Sequence, residues 1–333
     1  MTISLPGFYQ MVQNYQEAQL LFVGIKLEIF SYLADFTSPA VISSKTGFNE
    51  RNLKLFLNSL VAIDLLEKEG DCYKNKPAVN SYLNKNQRLY LGEYILFREE
   101  MTSLARVEEL VRNGPDEEIV QNNQGVEFYD FYKLARVSIN EMYTGRIQSL
   151  LKAVKLLFGK KDSFKLLDLG GGSGIMALEL LKNYPAATAV IFEHPTVVRL
   201  PEELVAVKGL AERVTVLAGD FTVDDLGANY DLIIASGILN FAKDKLVDLV
   251  KKLQRALRAD GYLHLIVHQV NQDYTAPREA IVGWLSSHLT GLDLLLNKQT
   301  IDDALADGGF KLLDRAAVAG IMDNLVGDFY IKT

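Results

Sequence analysis

The sequence predicts an α/β protein with a doubly wound, mostly parallel sheet, preceded by a smaller, mainly helical unit. Three observations predict it. From Phe164 onward, short apolar runs alternate with stretches of helical periodicity. The first of those runs ends in Asp168 and three glycines at alternate positions, Gly170, Gly172 and Gly174. Before residue 100, apolar residues recur at helical spacing and are followed by a short hairpin-like stretch. With 333 residues the chain is long enough for two domains. The expected boundaries are 1–100, 101–155 for linking helices, and 156–333.

In chain order, Ala18, Leu21, Phe22 and Ile25 form a helical apolar face that Ile29, Phe30 and Leu33 continue. A helix is expected near Ser38–Ser44, a break at Thr46-Gly47-Phe48, and a second helix over Asn49–Ala62. Leu65–Lys74 then reads as a wing, so the order is that of a winged helix. The first residues of the expected second helix, Glu50–Leu57, carry only Arg51 and Lys54 as cations, on an acidic protein. That favours an oligomerisation or lid role over DNA binding. Arg112-Asn113-Gly114-Pro115-Asp116 breaks the linking helices. Strands are then expected at Phe164–Asp168, Thr188–Phe192, Arg213–Leu217, Asp231–Ala235 and Tyr262–Val267. Between the last two, Leu246, Leu249, Val250, Leu253 and Leu257 share one helix face. Phe310–Leu313 and Gly327–Ile331 add an antiparallel hairpin at the sheet edge. The result is a Rossmann-like sheet of seven strands with an antiparallel C-terminal hairpin.

Hydrophobic residues make up 49% of the chain and charged residues 23%, the composition of a folded soluble protein. A net charge of −7 weighs against nucleic acid as a partner. Cys72 alone makes no intrachain disulfide or cysteine metal cluster, and its plain role is that of a small, partly buried residue. The four histidines lack metal-ligand spacing. No apolar run reaches the ~18 residues of a membrane span, and a reducing cytoplasm suits the composition.

In a doubly wound sheet the ligand lies beyond the C-terminal strand ends. The first strand ends in Asp168 and the glycine loop, where a backbone without Cβ turns sharply and a helix N-terminus follows. The second ends at Glu193, 25 residues after Asp168, a carboxylate that can accept from both hydroxyls of a ribose. The third runs into Asp220, which can accept from an exocyclic amine, and Phe221, which can stack on a purine. Together these describe an adenosine pocket and point to S-adenosyl-L-methionine (SAM). Gly172-Ser173-Gly174-Ile175-Met176-Ala177 also fits a dinucleotide pattern, but the antiparallel end of the sheet does not.

Nearly the whole chain resembles the SAM-dependent O-methyltransferases with an N-terminal winged-helix dimerisation domain, of the caffeate, polyketide and bacteriochlorophyll type. The resemblance rests on GIKLEIFSYL, LVAIDLLEKEGDCY, LLDLGGGSG, FEHPTVV, VLAGDF and ALADGGFKLLD. It implies that Asp168, Gly170, Gly172 and Gly174 line the methionine and ribose end. It implies Glu193 at the ribose, in place of the family's usual Asp, and Asp220 and Phe221 at the adenine. It also implies a homodimer whose N-terminal helices cap the partner's pocket, and a small-molecule substrate, aromatic or polycyclic. One departure stands out. Many members carry a His-Asp-Trp stretch after strand four whose His is the general base; here Asn240 occupies the His position, in Gly237–Ala242. An amide takes no proton from a phenol at neutral pH.

Methyl transfer is an in-line displacement, and a base is needed only if the acceptor must lose a proton. His268, just past strand five, and His288 are the candidate bases, with Asn240 orienting the acceptor. His264, mid-strand, reads as a core residue, and His194 as a rim or surface residue. Tyr143 and Arg146 lie on a linking helix. Arg146 can meet a carboxylate of cofactor or substrate, or make a surface salt bridge. Two other functions stay open: a SAM-binding enzyme of this fold with a non-methylation reaction, and a non-enzymatic winged-helix ligand sensor.

Overall fold

The computed structural model describes residues 5–122, 129–159, 161, 163–317 and 325–333, without the side chains of 122, 314–317, 325 and 326. The chain divides into two compact units, Met1–Glu99 and Glu100–Thr333. In the first, α1 (Leu5–Lys26) leads through a 3-10 turn (Ile29–Tyr32) to α2 (Pro39–Thr46) and α3 (Glu50–Ala62). Ser38 caps α2 by accepting from the Val41 N–H, and Gly47 ends it in the left-handed region at φ +76°. Asn49 caps α3 in the same way. Strands β1 (Leu66–Glu69) and β2 (Cys72–Asn75) pair antiparallel, and α4 (Pro77–Leu83) follows. Leu53, Leu57 and Leu60 of α3 close over Ile25, Phe30, Leu33, Ile42 and Tyr73. By contrast, Leu5, Phe8, Tyr9, Met11, Val12 and Tyr15 of α1 are each at least half exposed.

Helix α5 (Gly92–Met101) carries the boundary, and α6 (Val107–Asn113) and α7 (Glu117–Asn122) flank the predicted break. Next come α8 (Phe131–Val137), α9 (Ile139–Met142) and α10 (Arg146–Phe158). The sheet region then runs β3 (Lys165–Leu169), α11 (Ile175–Asn183), β4 (Thr188–Glu193), α12 (Arg199–Val207), β5 (Val214–Ala218) and β6 (Tyr230–Ser236). A 3-10 helix (Leu239–Lys245) leads into α13 (Leu246–Ala256) and β7 (Leu257–His268). Helices α14 (Arg278–Gly283), α15 (Leu285–Thr290) and α16 (Lys298–Asp307) precede β8 (Phe310–Ala317) and β9 (Leu325–Lys332).

The seven strands lie in the order β5-β4-β3-β6-β7-β9-β8, parallel from β5 to β7 and antiparallel at β9 and β8. Each face has its own core: α13 and α16 cover one side of the β3, β6 and β7 strands, and α10, α11 and α12 cover the other. The strand before the hairpin starts earlier than its apolar run suggests. Leu257 already pairs with Tyr230, and the register then jumps to Leu232 opposite Tyr262. The intervening Arg258-Ala259-Asp260-Gly261, with Asp260 at φ +58°, forms a bulge. No helix among the described residues is long and apolar enough to cross a membrane.

Candidate active site

The parallel strands β3, β4 and β6 deliver their C-terminal ends to one side of the sheet. At β3 the chain enters a loop in which Gly170, Gly172 and Gly174 all have φ near +60°, at +61°, +58° and +68°. An L side chain is disfavoured at all three. The reason for glycine differs among them. A Cβ on Gly170 would lie 2.5 Å from Ile238 Cγ2, and one on Gly174 would lie 2.4 Å from Ile191 Cδ1. These two glycines let the protein pack on itself. At Gly172 the nearest atom would be Ala135 Cβ at 3.4 Å, an ordinary contact, so this position is the one with room beside it.

Asp168 is buried beneath that loop at 2% exposure, accepting from the Ala177 N–H. Its Oδ2 has no hydrogen-bond partner among the described residues. Loss of water raises its pKa to about 7, and the Glu193 charge adds to the shift. Glu193, at the end of β4, accepts from the Gly172 N–H at 2.6 Å and from the His194 N–H at 2.7 Å. Burial pushes its pKa up against those two hydrogen bonds. The carboxylate is thus pinned to the glycine loop by two main-chain donors. Asp220 is exposed and accepts from the Thr222 N–H at 2.8 Å, while its own N–H donates to Asp224. Burial opposes ionisation of Asp220, and the Thr222 hydrogen bonds overcome it, leaving its pKa below the usual value. Phe221 packs partly into the core.

Beyond β6, Ile238 covers Gly170 and Asn240 is buried at 6% exposure within the 3-10 helix. Next to Asn240, Phe241 begins an aromatic wall. Its ring meets Phe131 edge-on at 5.2 Å; Phe131 meets Tyr129 at 5.8 Å, and Tyr129 meets Trp284 at 6.4 Å. Helix α8 is common to both parts: its Phe131 holds the wall and its Ala135 lies over Gly172. Trp284 Nε1 donates to His268 Nε2 at 3.1 Å, and the Tyr129 hydroxyl is hydrogen-bonded to Ser287. The sequence reading missed this wall. Its signals were present: the aromatic cluster Tyr129-Asp130-Phe131-Tyr132, Phe241 beside Asn240, and the sole tryptophan four residues before His288.

The structure moves some of the expected residues and leaves His264 in the core and His194 at the rim, as expected. Arg146 is buried, not on the surface, and its Nε donates to Glu141 at 3.1 Å, a carboxylate only 1% exposed. An internal counter-charge therefore already engages the guanidinium that sequence offered to an external carboxylate. The Tyr143 hydroxyl donates to Glu179 at 2.7 Å, in a cluster with Lys208. His264 stacks on Phe329 at 4.3 Å, with a pKa lowered to about 4 by burial, and His194 bonds Thr196 at the rim. His268 is the last residue of β7 rather than beyond it. His288 lies partly buried in α15, its pKa lowered by burial. Among the described residues no cluster of His, Cys, Asp and Glu could hold a metal.

A glycine loop after the first strand, a fixed carboxylate at the end of the second, and a sheet closed by an antiparallel strand define the seven-stranded methyltransferase class. Residues 122–286 match the O-methyltransferase domain family. Over nearly its whole length the chain is similar to SAM-dependent O-methyltransferases. The tetracenomycin polyketide synthesis 8-O-methyl transferase TcmO of Streptomyces glaucescens is 28% identical over 331 residues, covering 95% of this chain and 94% of TcmO. The N,N-dimethyltransferase OxyT of Streptomyces rimosus is 24% identical, covering 97% of this chain and 94% of OxyT. The structure of human N-acetylserotonin methyltransferase in complex with SAM superposes with a TM-score of 0.73 at 20% identity, covering 100% of this chain and 99% of that one.

Proposed function

We propose that this protein transfers a methyl group from SAM to a small, planar aromatic or polycyclic metabolite. The observation that carries the reading is the junction of two surfaces on α8, where the aromatic wall meets the glycine loop. A ring lying along Phe131 and Phe241 would present its substituent next to the cradle. The residues of the cradle fit the adenosyl group. Glu193, held by two amides, keeps further lone pairs for ribose hydroxyls. Asp220 and Phe221 stand where the third strand ends, for the adenine. Gly172 gives the backbone room for close approach. Bound there, the sulfonium supplies an electrophilic methyl carbon. The chain's residues do the rest: the wall excludes water, Asn240 orients the acceptor by hydrogen bonding, and His268 or His288 supplies any proton transfer.

In this reading residues 1–100 form a winged-helix dimerisation domain, residues 101–155 linking helices and residues 156–333 the catalytic domain. The apolar face that α1 leaves exposed, from Leu5 to Tyr15, supports a homodimer. The names of TcmO, a polyketide 8-O-methyl transferase, and OxyT, an N,N-dimethyltransferase, support an acceptor methylated at oxygen or nitrogen. The test is calorimetry with S-adenosylhomocysteine, followed by incubation with SAM and a panel of hydroxynaphthalenes and hydroxyanthraquinones. Binding and a product heavier by one CH₂ are expected. Failure to bind S-adenosylhomocysteine would refute the assignment. Binding with a product of any other mass would turn it towards a non-methylation reaction.

A further inference from the structure

The two candidate bases sit in unlike chemical surroundings. Indole N–H is only a donor, so at 3.1 Å it takes a lone pair from His268 Nε2. A neutral imidazole has a single acceptor nitrogen; the proton of His268 therefore resides on Nδ1. Adding a proton at Nε2 would set two N–H groups against each other. Four residues beyond Trp284, the His288 N–H donates to the Trp284 carbonyl at 3.0 Å, which puts both side chains on one helical face. Between them, Ser287 bonds the Tyr129 hydroxyl of the aromatic wall. His288 Nε2 is buried and has no hydrogen-bond partner among the described residues. Two charges act on it: Asp293, five residues on, and Lys243, on the 3-10 helix of Asn240 and Phe241. These two are ion-paired with each other, which ties the segment after α15 to the exit of β6. Helix α6, packed against α15, brings Glu108, Glu109 and Arg112, all exposed; Arg112 pairs with Glu108, and Glu109 with Arg106.

We propose that His288 accepts the proton of the methyl acceptor, and that Trp284 holds His268 out of that role as a fixed Nδ1–H tautomer. The proposal rests on the methyltransferase reading above and replaces the base that Asn240 cannot be. The O–H or N–H proton of the acceptor passes to His288 Nε2. The electron pair it leaves forms the bond to the methyl carbon, and the pair of the broken C–S bond stays on sulfur. The imidazolium then returns its proton to solvent. Trp284 is a positioning residue: it acts only through the lone pair it occupies.

Two measurements test this. In ¹⁵N spectra of labelled protein with S-adenosylhomocysteine bound, His268 should show Nδ1 protonated and Nε2 bare. Its signals are assigned with His268→Gln, and Trp284→Phe should restore a mixture of tautomers. In pH profiles of kcat, His288→Gln should lower the rate by at least ~10²-fold and remove the acidic limb, whereas His268→Gln should keep that limb. Calorimetry with S-adenosylhomocysteine verifies that each variant is folded. A proton on His268 Nε2 in the wild-type protein would overturn the proposal. So would a His288→Gln enzyme with undiminished kcat. Absence of any methylated product from wild-type protein whose His268 tautomer is as expected would overturn the methyltransferase reading instead.

Discussion

Replacing Gly174 by alanine separates the two reasons for glycine in the loop. At φ +68° an alanine costs about 1–2 kcal/mol in backbone strain alone. Its Cβ would fall 2.4 Å from Ile191 Cδ1, and Ile191 has 0% exposure, so the side chain cannot swing into solvent. Overpacking of this kind adds about 1–3 kcal/mol, and the loss of glycine's freedom in the unfolded chain returns about 0.4–1. The net expectation is about 2–4 kcal/mol. For a unit of this size that corresponds to a fall in Tm of roughly 5–15 °C. Gly172→Ala meets only an ordinary contact, so strain less the unfolded-state gain leaves about 0.5–1 kcal/mol, or roughly 1–4 °C. The fluorescence of Trp284, the sole tryptophan, reports unfolding of the second unit specifically. Affinity for S-adenosylhomocysteine should run the other way, falling more for Gly172→Ala than its small Tm change suggests. If Gly174→Ala melts within about 1 °C of wild type, or Gly172→Ala is the less stable of the two, the reasoning from Cβ placement fails.

Four further outcomes follow from the site. Arg146→Ala should cost about 3–5 kcal/mol in melting experiments, because it strands the Glu141 carboxylate in the interior without its partner. Asp168 has its pKa raised from 3.8 to about 7, so its protonated form favours folding. The cofactor-free protein should lose stability as pH rises from about 4 to 7, and Asp168→Asn should remove that component of the Tm profile. His264 has the opposite sign: with its pKa lowered from 6.5 to about 4, stability is lost as pH falls through that interval, and His264→Phe should flatten the loss. In calorimetry, Glu193→Gln should weaken S-adenosylhomocysteine binding more than Asp220→Ala does, since Glu193 is anchored by two amides and Asp220 is exposed.

What was legible in the sequence is what a short stretch of chain decides for itself. The glycine alternation at 170, 172 and 174 matches three left-handed residues because glycine alone populates that region without cost. The break at Gly114-Pro115 lies between α6 and α7 because proline cannot continue a helix. The caps Ser38 and Asn49 start their helices close to the expected positions. What was not legible depends on residues far apart in the chain. Tyr129 and Trp284 are separated by 155 positions, and no local pattern announces that their rings meet. Arg146 reads as a partner for a ligand carboxylate or for a surface acid; that Glu141 is buried with it as its partner depends on how α9 packs. The strand expected at Tyr262–Val267 begins five residues earlier, at Leu257, because pairing with β6 across the irregularity draws Leu257 into the sheet.

Strand β9 lies inside the sheet, between β7 and β8, yet it follows both in the chain. Until residues 325–332 have been synthesised, the edge of β7 from Tyr262 to His268 has no partner. That edge includes Leu263, Leu265 and Val267, all buried once the fold is complete. On the ribosome the nascent second unit therefore carries an open, apolar strand edge while almost all of the rest of it is already made. Such an edge is a template for pairing with another chain. Productive folding of this unit is a matter of timing: its last strand must arrive before a neighbour's does.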